Sequence, residues 1–277
     1  MKTNTVESQS MKLKFYMGSF YKRGFVTFLF LISILVSTSY SQTKSESFDF
    51  PVKHGTDAWK KIQTHIEMVE KCQIPPDQIV TLSTRALIEA CVGYPLAFDV
   101  FSYDNLKTGF NSCYGQFNGF QELLKRPDVG KIAFDWFMNL SPRDITLKKT
   151  LIEKGDFTFG ITLTEMILAQ ENIINQFNKD QCIALLQKVL ENLKAKRIHG
   201  DNYAAMGEYS LSYLAGNILH KSSAPKDNDE YQFITNMALK DKKIIDRIFL
   251  KTSGYIKKNE KNTPFNDNSN SLSWVQV

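Results

Sequence analysis

The sequence predicts an all-α fold: a single domain of about eight to ten helices, arranged as a bundle or an irregular solenoid-like array. Three observations predict it. Apolar residues recur at three- and four-residue intervals through most of the chain, which gathers them on one side of a helix. Pro, Gly, Ser, Thr and Asn stand between these segments, where helices start and stop. Alternation of the strand type is confined to Phe48, Phe50 and Val52, and no fixed-period repeat is present. With 43% hydrophobic and 23% charged residues, the 277-residue chain has the make-up of a globular core.

Residues 1–41 read as a signal peptide. Lys22 and Arg23 precede a 12-residue apolar run, Phe25–Val36, and small polar residues follow it. The run is short for a membrane span, which needs about 20 residues. Cleavage is expected between Ser41 and Gln42, with an uncleaved anchor as the alternative, and Met1, Met11 or Met17 as the start. Residues 42–55 read as a flexible segment, with Phe48, Phe50 and Val52 forming a short strand or lying on the helices. The helical domain is expected over residues 56–258.

Thr56 is placed to cap a helix over 57–72, with Trp59, Ile62, Ile66 and Val69 inward. Pro75 and Pro76 close it. Ser83 caps a helix over 84–92 that buries Leu87, Ile88, Cys91 and Val92. Gly93 suits a left-handed position after it, and Pro95 blocks continuation. A helix over 105–117 buries Leu106, Phe110, Cys113 and Phe117. Asn118 and Gly119 punctuate, then Phe120, Leu123 and Leu124 supply another apolar face. Pro127 opens a helix whose inward side is Val129, Ile132, Trp136 and Leu140.

Ser141-Pro142 opens the next helix, and Gly155 and Gly160 bracket a turn. Helices follow over 162–177 and from the Asn178 cap to Gly200. In the last turn of the second, Lys194, Lys196, Arg197 and His199 meet the helix dipole. Asp201 or Asn202 restarts the pattern, with Met206, Tyr209, Tyr213, Leu214 and Ile218 apolar. Residues 221–229 form the clearest loop. A final helical region over 230–257, in two pieces, buries Phe233, Met237, Ile245, Ile248 and Phe249. Residues 259–277 read as a disordered tail in which Trp274–Val277 can dock.

The run CQIPPDQIVTLSTRALIEACVGYP (Cys72–Pro95), with FNGFQELLKR (Phe117–Arg126) after it, resembles an uncharacterised family of exported helical proteins from Gram-negative bacteria. The resemblance covers roughly Trp59 to Asp128. It implies an exported helical protein and no particular activity.

The net charge of +5 comes mostly from the leader. Residues 1–41 carry five Lys or Arg and one acid; removing them from 34 and 29 leaves 29 basic and 28 acidic residues. A nucleic-acid partner is therefore not expected. The eight basic residues of 240–261 read as a solvated face, with contact to an anionic membrane or polyanion as the alternative.

Cys72, Cys91, Cys113 and Cys182 allow two disulfides, but their apolar helix faces favour buried thiols, and no CxxC pair suggests zinc. His54, His65, His199 and His220 belong to no ligand motif. Lys107-Thr108-Gly109 copies a fragment of the penicillin-binding serine enzymes without the upstream Ser-x-x-Lys helix. Glu89, Asp99, Asp104, Glu122 and Asp135 are the acids that could converge in space. No catalytic, cofactor-binding or metal residue is assigned, and no cofactor is expected. The leading expectation is a non-enzymatic binding protein of the periplasm or cell exterior. It would grip an unidentified protein or polymer partner through an aromatic-lined groove, and would meet a membrane only through its leader. The alternatives are a hydrolase with a loop-built site and a membrane-tethered protein.

Overall fold

A computed structural model describes residues 47–222, 227–237 and 243–260. Within them lie thirteen α-helices, two 3₁₀ helices and no strand, so the protein is all-α. Ten of the α-helices have six residues or more; the others are single turns. The leader, the end of the loop (223–226) and the tail beyond Glu260 lie outside the described residues.

The chain begins by lying on the helices. Phe50 and Val52 are buried, and the Phe50 ring meets Tyr94 and Phe117 at about 6 Å. Of the two arrangements expected for Phe48, Phe50 and Val52, the one lying on the helices is found, because Phe50 and Val52 are buried there. The expected helix over 57–72 is two helices, α1 (Asp57–Lys60) and α2 (His65–Lys71). Thr64 splits them: its hydroxyl accepts the Glu67 N–H, while the Glu67 carboxylate accepts the Gln63 N–H. The break turns Ile66, expected inward, out to solvent.

The single turn α3 (Pro76–Ile79) leads to α4 (Thr84–Val92), capped by Ser83 as expected. Gly93 has φ −89°, not a left-handed angle, because a tight turn with its N–H on the Glu89 and Cys91 carbonyls ends the helix. The first 3₁₀ helix, η1 (Ala97–Ser102), follows, then α5 (Leu106–Gly115), α6 (Asn118–Leu123) and α7 (Val129–Met138).

Asn118 and Gly119 do not punctuate; they begin α6. The Asn118 side chain accepts the Ile74 N–H at 3.0 Å and donates to the Ile74 carbonyl at 2.7 Å, while its own N–H donates to the Gln73 side chain. One amide thereby satisfies a buried stretch of chain with no helix of its own. Gly119 lies so close to the Phe117 ring and Ile74 that no Cβ fits. In α7 the buried side is Val129, Ala133 and Phe137, whereas Ile132, Trp136 and Leu140 are half-buried. The helix is apolar nearly all round, so spacing alone did not choose its face.

The second 3₁₀ helix, η2 (Pro142–Leu147), leads into α8 (Leu151–Leu168). Gly155 and Gly160 lie inside α8, not at a turn. Thr150 and Glu153 form a capping box that starts the helix early, outweighing the two glycines. The turn α9 (Glu171–Ile174) separates α8 from α10 (Lys179–Ile198), which Asn178 and Gln181 cap. Gly200 opens α11 (Gly200–Ser222) instead of closing α10. Met206 points outward, while Tyr213, Leu214 and Ile218 are buried. The helices α12 (Asn228–Asn236) and α13 (Lys243–Glu260) bury Phe233, Met237, Ile245, Ile248 and Phe249 as expected. α11 is the central rod, with α8, α10 and α13 packed around it; α4 and α7 pack on α8, and α7 also on α10. The result is an irregular bundle.

Lys196 departs most from expectation. It was placed with Lys194, Arg197 and His199 at a wet helix end, yet it is 1% exposed. Its ammonium donates to the Glu165 carboxylate at 2.5 Å and to the Gly207 carbonyl at 2.9 Å; the Ser210 hydroxyl donates to the same carboxylate. Burial pulls the Lys196 pKa down and pushes the Glu165 pKa up, each resisted by the other's charge. The pair pins α8, α10 and α11 together.

Candidate interaction surface

Along a 3₁₀ helix, residues three apart eclipse each other. In η1 this puts Ala97 and Val100 on the buried side and throws Phe98 and Phe101 together on the outer side, both about half exposed. The two rings stand 6.4 Å apart, and the Phe159 ring of α8 stacks on Phe98 at 4.3 Å and meets Phe101 at 5.2 Å. η1 can sit there because Gly109 of α5 has no side chain: an added Cβ would lie 2.0 Å from the Val100 carbonyl oxygen.

α8 carries this surface outward. Its C-terminal half, Ile161–Leu168, is wholly buried. Its first ten residues have none buried: Phe157 and Phe159 rest partly on the core, while Leu151, Ile152 and Glu153 at its start are exposed. Leu151, Gly155 and Phe159 recur every four residues, with Ile152 beside them, so they share one face. Leu151 is 85% and Ile152 77% exposed, and a Cβ on Gly155 would meet nothing. Leu147, at the end of η2, is equally open. An open depression of about 520 Å³ lies beside them, lined by Leu147, Lys148, Lys149, Glu153, Asp156 and Phe157. Lys148 sits over the Phe157 ring, 4.9 Å from its centre. The Glu153 carboxylate accepts the N–H groups of Lys149 and Thr150, which lowers its pKa.

The surface has the chemistry of contact: apolar groups single soluble chains normally keep small in area, with lysines at one end. It is an exposed apolar face beside an open depression, not the aromatic-lined groove that the sequence suggested. Trp59 and Trp136 are half-buried against the core instead.

The titratable candidates do not assemble. All four cysteines are free and buried; burial raises the thiols of Cys72 and Cys113 to about 11 and that of Cys91 further. His65 pairs with Asp99 at 2.9 Å on an open face, His54 packs on Trp59, His199 ends α10 and His220 lies by Tyr231. Glu89 pairs with Arg85 one turn earlier in α4 and Glu122 with Arg126 just past the end of α6, while Asp104 and Asp135 face solvent. Among the described residues no group of three or more His, Cys, Asp and Glu could hold a metal. Lys107 donates to the Thr235 carbonyl and lies over the Tyr213 ring, an anchoring role. The basic residues of α13 are partly neutralised, Arg247 by Asp227 and Glu230 and Lys251 by Glu230.

Sequence reasoning missed this surface because it read α8 as beginning after Gly160. Two signals could have found it: the Thr150–Glu153 capping box, and the Phe98–Phe101 spacing just after Pro95. No family model, curated protein or solved structure matches this chain.

Proposed function

We propose that this protein is exported, to the periplasm or beyond the cell, and acts there by binding rather than by catalysis. Its working surface is the uncovered face made by η1 and the first half of α8. One observation carries the reading: Leu147, Leu151 and Ile152 are each more than 70% exposed at the start of the helix that carries Phe159 of the three-ring aromatic cluster. The cost of leaving such groups in water is about 1.5–3 kcal/mol per side chain, which contact with a partner would recover. The charged leader, apolar run and small polar site of residues 1–41 support export.

Fractionation of the native host tests the binding role. Wild type is expected to travel with a partner, and a Phe98→Ser/Ile152→Ser variant of unchanged melting temperature to travel as the free chain. An unchanged profile for the variant contradicts the assignment. N-terminal sequencing of mature material is expected to begin near Gln42; a retained leader would instead mean a tethered protein.

The hydrolase alternative has the exposed His65–Asp99 pair in its favour. It requires ester or peptide turnover that His65→Ala abolishes.

A further inference from the structure

We infer that the exposed start of α8 docks the protein on an anionic lipid surface; this rests on the binding role proposed above and names its partner class. The three aliphatic side chains at this end, Leu147, Leu151 and Ile152, stand at 71%, 85% and 77% exposure. Leu151 and Ile152 stand outside the lining of the neighbouring depression, so no enclosed site surrounds them that a rigid partner would have to match. A fluid acyl boundary takes them without a preformed shape.

Charge at the same end selects the sign of the surface. Lys148 and Lys149 lie between Leu147 and Leu151, and Lys154 follows one turn into the helix. The partial positive charge of the α8 N-terminus adds to theirs. Three acids lie nearby, Asp144, Glu153 and Asp156; with Arg143 the basic side chains number four, so this end carries one net positive charge. Long lysine stems can keep their ammonium groups at headgroup phosphates while Leu151 and Ile152 enter the boundary below.

The aromatic cluster marks the other limit of contact. Phe159 lies eight residues from Leu151, or about 12 Å along the helix axis. Phe98 and Phe101 beside it add apolar area of the kind that enters the acyl boundary. No helix among the described residues is long and apolar enough to cross a membrane, so this contact lies on the bilayer.

Flotation of the mature chain with vesicles tests the inference. It is expected to bind phosphatidylglycerol-containing vesicles, and pure phosphatidylcholine vesicles at least about tenfold less. Leu151→Ser with Ile152→Ser is expected to weaken binding by at least about tenfold, the scale of losing two apolar anchors. Lys148→Gln with Lys149→Gln should weaken it and flatten its dependence on ionic strength. Absence of flotation, or flotation that the Leu151/Ile152 variant leaves unchanged, overturns the lipid assignment. So does sedimentation velocity in which, without vesicles, wild type is a dimer and the same variant a monomer. In that last case the binding role survives with a second copy as partner; loss of both flotation and host co-fractionation differences removes both.

Discussion

Lys196 shows at the scale of one residue what separates pattern from packing. Charge near a helix end usually means solvent and dipole, and Arg197 meets that description by pairing with Glu208 and Asp246 at the surface. Lys196, one residue earlier, lies three residues after Leu193 and seven after Val189, on the buried stripe. The spacing was legible; the identity of its partner was not, because Glu165 lies 31 residues away and only the fold brings them together. Lys196→Met should therefore cost about 3–5 kcal/mol by denaturant titration, since it strands a buried carboxylate. Adding Glu165→Leu should recover most of that loss. The single variant also has a signed pH dependence. Burial already holds the Glu165 pKa above its ordinary value, and removing Lys196 removes the influence that lowers it. A carboxyl with a raised folded-state pKa favours the fold when protonated and loses that contribution as pH rises through its folded-state pKa. The deficit of Lys196→Met should thus shrink on acidification, while the double variant shows no such trend.

Single elements decide where the candidate surface stands. η1 is held against α5 by the missing side chain of Gly109, so Gly109→Ala forces backbone apart. It should destabilise by at least about 2–3 kcal/mol in thermal or denaturant melts. It should also raise amide exchange in η1 before the rest of the molecule. Equal stability of that variant would mean that η1 does not pack as described. The segment before α3 relies likewise on Asn118. Asn118→Ala leaves the Ile74 N–H and carbonyl without partners and should cost about 2–3 kcal/mol. These residues fall within the Cys72–Arg126 run whose wording is distinctive, and in the structure they serve packing. Element starts were the most legible feature: Ser83, Thr56 and Asn178 cap as their spacing predicts, and the helix expected from Asn105 starts there, with Asn105 as its cap. Element ends and interruptions were less so. Thr64 caps a helix in the middle of an unbroken apolar pattern, and the Thr150–Glu153 capping box overrides the signal of Gly155.

Over the whole molecule, the helical class and most of the core followed from apolar spacing, because burial of one helix face is what spacing encodes. Which faces stay uncovered did not follow, since exposure depends on what the rest of the fold places above a face. The four thiols illustrate the same division. Their burial was readable from helix faces, and their free state depends on distances no spacing gives. A thiol-reactive reagent should find almost none reactive in the native protein and four after unfolding without reductant. Fewer than four would reveal a disulfide. The most direct test of the central claim, that the face of η1 and α8 is left open for a partner, is hydroxyl-radical footprinting of the purified chain and of the chain in its native cells. Phe98, Phe101, Leu151 and Ile152 should oxidise rapidly in the purified protein and be protected in the cell. Equal oxidation in both settings would contradict the claim.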